Sequence, residues 1–259
     1  MQGKPGLSRR QWLARGAAAL GASVLAGCDR LNDSDWFPKV LETGEALSQT
    51  VHKAIGRRAM AQEFTEADLS PTFRGNGNTD PANAEYRAHV KSGFADWSLR
   101  IDGLVEQPQA FTLAQLRAMP ARTQITRHDC VEGWSAIGQW TGVQLSQLLA
   151  QARPKPEARF AVFHCADSFG AGDDAVPYYE SIDMDDAMHV QTILAYALNG
   201  RPLPVTNGAP LRLRVERQLG YKQAKYVMRI ELAASLAAFG DGKGGYWEDH
   251  GGYAWYAGI

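Results

Sequence analysis

Two thiols, Cys130 and Cys165, stand in the body of the chain, and the stretch around the first is dense in groups that can do chemistry. Thr126-Arg127-His128-Asp129-Cys130-Val131-Glu132-Gly133-Trp134-Ser135 sets a thiol beside an imidazole and two carboxylates. A thiolate is a soft ligand that suits several transition metals. A Cys130–Cys165 disulfide is the competing use of the pair in an oxidising compartment. Zinc fits less well, because neither cysteine belongs to a C-x-x-C pair and His128 and His164 lack structural-site spacing. Ser135 does not make a nucleophile elbow, since Gly133-Trp134-Ser135-Ala136-Ile137-Gly138 has one residue too many for G-x-S-x-G. The sequence carries no C-x-x-C-H haem signature.

These residues need elements to position them, and beyond Phe94 the sequence alternates short strands and helices. Residues 97–103 alternate apolar and polar side chains and end at Gly103, which predicts a strand. Thr112 is placed to cap a helix over 113–119, and Thr141 or Gly142 to start another whose apolar face holds Leu145, Leu148 and Leu149. Residues 160–163 and 226–232 read as core strands. Leu211, Leu213 and Val215 alternate with Arg212 and Arg214, so both guanidiniums share one strand face, which without a ligand would be a solvated face. Residues 70–94, rich in Gly, Pro, Asn and Asp, read as an extended loop. Seven glycines interleave with Tyr246, Trp247, Tyr253, Trp255 and Tyr256 in residues 240–259, a mixture that suits an irregular segment laid over a surface by its aromatic anchors, either covering an active site or, the use favoured here, sealing the core.

The N-terminus reads as an address. Residues 1–27 carry Lys4, Arg9, Arg10 and Arg15 with no acidic residue, then a small-residue apolar run too short to cross a bilayer. Arg9-Arg10 resembles a twin-arginine export signal, and Leu25-Ala26-Gly27-Cys28 a lipobox whose Cys28 is acylated. Cleavage before Cys28 removes those four positive charges and takes the formal net charge from -1 to -5. With 27 basic against 28 acidic side chains, the chain has no basic surplus for a nucleic-acid partner. Its 45% hydrophobic content fits a globular protein. The expected organisation is a signal peptide (1–27), a tether with N-terminal helices (28–69), an oxidoreductase domain (70–239) and the aromatic tail (240–259).

Cys130-Val131-Glu132-Gly133-Trp134-Ser135 followed by Trp140-Thr141-Gly142-Val143 and the leucine-rich helix resembles the molybdenum-binding segment of the sulfite-oxidase superfamily, in its exported bacterial branch. A second block strengthens the likeness: Leu198-Asn199-Gly200-Arg201-Pro202-Leu203-Pro204, Asn207-Gly208-Ala209-Pro210-Leu211-Arg212-Leu213 and Gly220-Tyr221-Lys222-Gln223-Ala224-Lys225. The resemblance covers roughly residues 70 to 235 and implies an α+β sulfite-oxidase-type molybdopterin-binding domain of mixed sheets and short helices. It implies a molybdenum-molybdopterin cofactor with Cys130 as the metal's thiolate ligand. By position, Asn76 matches a pterin contact, Cys165 a small residue beside the cofactor, and Asn207, Arg212, Gln223, Ala224 and Lys225 the groups that hold pterin and phosphate. Tyr178 resembles the active-site tyrosine of sulfite oxidases. Arg212 as a fork of donors and Lys225 as a point charge suit a phosphate; Asn76 alone would be a turn residue and Tyr178 a half-buried aromatic.

The implied reaction is a two-electron oxygen-atom transfer on a small or protein-borne sulfur or nitrogen oxide, with His128, Asp129 and Tyr178 as candidates to hold a proton. The arginine-rich stretch that follows the metal cysteine in sulfite oxidases is replaced here by Glu132-Gly133-Trp134, which argues against sulfite. Electrons would pass to or from a separate haem partner, a membrane cytochrome for instance. The expected location is the periplasmic side of the cell membrane, with a monomer held by its lipid anchor. The alternative function is a non-catalytic binding lipoprotein with a Cys130–Cys165 disulfide.

Overall fold

The computed structural model describes residues 59–259 apart from 171, 173 and 174, together with scattered positions between 34 and 51. Two compact units divide the chain, residues 1–56 and 57–259. In the first, the described positions from 37 to 51 are helical and mostly exposed, Leu47 and Val51 among them. Residues 1–27 and Cys28 lie outside the described residues.

In chain order the strands of the second unit are β1 (Ser98–Gly103), β2 (Gln109–Thr112), β3 (Ala121–Asp129), β4 (Ser135–Gln144), β5 (Phe160–Phe169), β6 (Val176–Asp183), β7 (Ile193–Leu198), β8 (Arg201–Pro202), β9 (Arg212–Arg214) and β10 (Val227–Ala233). The helices are short: α1 (Ala84–Lys91), α2 (Leu113–Ala118), α3 (Leu145–Ala152), α4 (Met184–Ala187) and α5 (Tyr246–His250). One sheet has the order β2-β1-β10-β5-β6, and the other β3-β4-β7-β8 with β9 also paired to β7. In the first sheet β1 and β10 run parallel, Arg100 opposite Arg229. The two sheets and α3 share one core, in which Leu99, Ile101, Leu148, Leu149, Phe163, Leu194 and Ile230 are fully buried.

Local chemistry explains most element boundaries. Thr112 closes a reciprocal cap on α2: its hydroxyl accepts from Gln115 N at 3.2 Å, and Gln115 Oε1 accepts from Thr112 N at 2.8 Å. β1 alternates buried Leu99 and Ile101 with exposed Ser98 and Arg100, the pattern of a strand covered on one face. The strand read over 160–163 runs on to Phe169.

Two sequence expectations are corrected. Thr141 and Gly142 do not start a helix: both pair within β4, and α3 begins at Leu145. The reason is a bulge in the antiparallel pairing of β4 with β7, where the register shifts between Thr141 and Gly142 and a Cβ on Gly142 would stand 2.1 Å from the Leu194 carbonyl oxygen. Glycine is required there by a neighbouring backbone. The 70–94 loop in turn contains α1, capped by Asn83, whose side chain accepts from Tyr86 N at 2.9 Å. Tyr86 is buried and its hydroxyl donates to Ala209 O at 2.6 Å, which seats the helix.

Candidate active site

A cleft of about 840 Å³, counting its open mouth, gathers residues from the loop before α1, the end of β3 and the β3–β4 turn, the end of β5 and the start of β6, β9, the segment before β10, and the C-terminal tail. Asn76, Cys130, Tyr178, Arg212, Gln223 and Lys225 all line it. Cys165, Asn207 and Ala224 do not.

Cys130 sits at the start of the tight turn that joins β3 to β4, where Cys130 N donates to Trp134 O at 2.9 Å and Gly133 N to Cys130 O at 3.0 Å. The turn presents the thiol to the cleft, and Asn76 Nδ2 lies 3.6 Å from its sulfur. Burial pushes the Cys130 thiol up, so a cation at the sulfur is what would make it a thiolate. The loop carrying Asn76 is tied down by Lys225, whose ammonium donates to Asn76 O at 2.6 Å and to Asn78 O. Arg74 closes the rim, its guanidinium 4.3 Å from the Trp134 ring centre and 3.3 Å from Glu132.

Under the thiol lies a bed of cations. Arg212 and Arg214, one residue apart in the strand, stack on Trp140 at 4.9 and 4.5 Å from its centre. Both are buried, so the solvated-face reading of this strand is corrected. Arg214 is neutralised by Glu216, with its Nε 2.9 Å from Oε1. Its Nη1 also donates to His128 Nδ1 at 3.0 Å, and burial followed by the Arg214 charge holds His128 well below the usual imidazole range. Arg212 has no such carboxylate: it donates to the carbonyls of Asn207 at 3.0 Å and Gln223 at 3.4 Å, and its Nε is buried without a partner. Burial and the neighbouring Arg214 pull Arg212 down to about 9, and burial and Arg212 pull Lys225 down to about 8. Gln223 Oε1 is likewise buried without a partner. An unmet donor, an unmet acceptor and two cations that form no salt bridge among the described residues describe a binding site.

A bulge in β5 shapes the far side. His164 pairs with Tyr179 and Ser168 with Pro177, so Cys165, Ala166 and Asp167 face the single residue Tyr178. Such bulges re-aim side chains beside active sites. Asp167 is thereby turned into the cleft, buried, with Oδ1 unpartnered, and burial raises its carboxyl to about 7 against the pull of Lys225. Tyr178 donates to Tyr221 O at 2.7 Å and is held as a phenol by burial. Cys165 packs against the core as a neutral thiol, and burial raises it well above its usual range. Both cysteines are free, so the disulfide and the binding-protein reading built on it are corrected. Asn207 is buried beneath the Asn76 loop, with Nδ2 3.4 Å from Phe73 O. Ala224 is buried, and its carbonyl accepts from Leu213 N at 2.8 Å. Asp129 is absent from the cleft wall, engaged by Ser135 Oγ at 2.5 Å and by Arg127.

Asp167, Trp247 and Tyr253 are among the cleft residues that have no counterpart among the sequence-derived candidates. Asp167 lies two residues from Cys165, and that proximity was the available signal. Of the two uses open to the tail, the favoured one, sealing the core, is not the whole of it, because Trp247 and Tyr253 line the cleft.

Comparison with known proteins bears on the same segments. A family model described as an oxidoreductase molybdopterin-binding domain matches residues 87–237. The chain is 34% identical over 253 residues to a protein of Azospira oryzae provisionally named protein-methionine-sulfoxide reductase subunit YedZ1, covering 97% of this chain and 88% of that one. It is 36% identical over 188 residues to the protein-methionine-sulfoxide reductase catalytic subunit MsrP of Xanthomonas campestris pv. campestris, covering 68% of this chain and 57% of MsrP. Among solved structures, the sulfane dehydrogenase SoxCD of Paracoccus pantotrophus aligns with a TM-score of 0.47 and 28% identity over 54% of this chain and 39% of that chain. The mixed sheets and short helices are those expected of a sulfite-oxidase-type α+β domain. The chain belongs to the family of oxidoreductases with a molybdopterin-binding domain.

Proposed function

We propose that the chain is an exported molybdenum-pterin enzyme that carries out oxygen-atom transfer on a sulfur or nitrogen oxide, with sulfoxides as the first class to test. The observation that carries this reading is the placement of the Cys130 thiol, with Asn76 beside it, over Arg212 and Lys225 in one cleft. The names of the two relatives, both protein-methionine-sulfoxide reductase subunits, support a sulfur oxide.

The residues present fit the cofactor. Arg212 and Lys225 would hold the phosphate, the orphaned Arg212 Nε and Gln223 Oε1 offer a donor and an acceptor to the pterin, and the Cys130 sulfur would ligate molybdenum. Gly208 keeps the backbone close to Lys225: a Cβ there would fall 2.9 Å from Lys225 Cβ, at a φ of +109. When bound, the molybdenum-pterin group supplies the two-electron change. The protein's part is to bind, orient and manage protons. Asp167, with its carboxyl at about 7, holds a proton at Oδ1 near neutral pH and can exchange it within the cleft. His128 stays neutral against Arg214, and Tyr178 keeps its proton on the bond to Tyr221 O.

Export rests on the Arg9-Arg10 and Leu25-Ala26-Gly27-Cys28 segments, which would leave a lipid-anchored monomer on the periplasmic side of the membrane. Since the sequence carries no C-x-x-C-H motif, electrons would be exchanged with a separate haem protein near that surface.

Metal and pterin analysis of protein purified from a molybdenum-replete host tests the reading. The expected result is molybdenum and pterin in the wild type, reduction of sulfoxides with an artificial electron donor, and loss of molybdenum from folded Cys130→Ser. Wild-type protein free of both metal and pterin overturns the reading, and a Cys130→Ser variant that keeps its molybdenum removes Cys130 as ligand.

A further inference from the structure

The rings of Trp247 and Tyr253 reach the cleft, and nothing in the chemistry above uses them. They stack on each other at 5.8 Å with an interplanar angle of 23°. Phe169 meets Trp247 at 5.2 Å and Tyr221 meets Tyr253 at 4.9 Å, so four rings form one continuous aromatic wall. The segment that supplies it is built to stay in place. Glu248, next to Trp247, is buried on Lys222 at 2.6 Å, and Lys222 also pairs with buried Glu180. Asp249 accepts the Tyr179 hydroxyl at 2.5 Å.

The burial order is the reverse of what a sealing segment shows. Glu248 and Asp249 are buried, while Trp247 and Tyr253 remain half-exposed to the cleft. Burying two carboxylates to hold aromatic faces open to a cavity is arranged for something that binds those faces. A sulfoxide has a polar oxygen and apolar substituents, and aromatic faces take apolar groups and sulfur well. We propose that the wall built by Trp247 and Tyr253 is the specificity element of the site: it seats the apolar flank of a sulfoxide and so favours sulfoxides that carry a flank of about ring size. The inference rests on reading the cleft as an oxide-reducing site.

The holoenzyme is assayed with methyl phenyl sulfoxide and with dimethyl sulfoxide, which lacks the flank, and the ratio of the two kcat/KM values is compared across variants. Trp247→Ala and Tyr253→Ala should each lower that ratio about five- to tenfold, mainly through KM, and Trp247→Phe should restore most of it. Calorimetric binding of thioanisole to the holoenzyme, which needs no turnover, should weaken by a similar factor. If Trp247→Ala fails to fold, Tyr253→Ala carries the test, since its ring lies outside the buried anchors. A ratio that stays at the wild-type value, whether the two rates hold or fall together, overturns the proposal. Wild-type holoenzyme that contains molybdenum and reduces neither sulfoxide instead overturns the oxide-reducing reading on which it rests.

Discussion

Lys225 and Arg212 share a buried site in which neither forms a salt bridge among the described residues, and each is pulled below its ordinary range, Lys225 to about 8. An anion binds the charged ammonium, so binding raises the lysine's pKa again and takes up a proton above about pH 8. Affinity of the cofactor-free protein for the pterin phosphate is therefore greatest below that value and falls as pH rises through it. A binding titration across about pH 7 to 9 should show the fall. Lys225→Met should weaken binding about tenfold or more and flatten the profile in this range. Asp167→Asn is the companion case: it removes a group that titrates at about 7, so the alkaline side of the kcat profile should move while cofactor content holds. Cys130, Arg212 and Lys225 were legible in the sequence through short blocks that resemble the family's, whereas residue chemistry alone left Cys130 with alternatives and read Arg212 as part of a solvated face. Asp167 was not, because the bulge that turns it inward is a property of how β5 pairs with β6.

At the scale of elements, β4 shows how a motif can be read for the wrong reason. Trp140-Thr141-Gly142 looks like a helix start because Thr and Gly are good capping residues. Its use is different: Trp140 is the plate under two guanidiniums, and Gly142 lets β4 lie close to β7 at a bulge in their pairing. Gly142→Val should force the two strands apart and cost about 2–4 kcal/mol, seen as a fall in Tm on the order of 5–15 °C. The Thr112 cap was legible because both of its partners lie within one turn. A bulged pairing of strands some fifty positions apart in the chain leaves no such local mark beyond the glycine itself.

Across the whole molecule, one ion cluster joins the tail to the first sheet. Lys222 is fully buried between Glu180 on β6 and Glu248 on α5, and burial raises Glu180 well above the usual carboxylate range. Lys222→Met would leave two carboxylates buried without a counter-ion and should cost about 3–5 kcal/mol in chemical denaturation. Adding Glu248→Gln should recover part of that loss by removing one of the stranded charges, a coupling that a double-mutant cycle would measure. The tail's aromatic composition was plain in the sequence, but its place was not. What decides whether its rings seal or line a cavity is the buried lysine twenty-six residues earlier, which no pattern within 240–259 reveals.

The parallel pairing of β1 with β10 carries a kinetic consequence. β10 lies between β1 and β5, so the middle of the first sheet stays open until the chain has delivered its last strand. Closing so long a loop before any contact rewards it makes assembly slow. The residues just ahead of that strand, Gln223 and Lys225, are also cleft residues. One stretch, 220–233, therefore completes both the sheet and the cofactor's cradle during synthesis, so a nascent chain gains the means to capture its cofactor only when it also gains the means to fold.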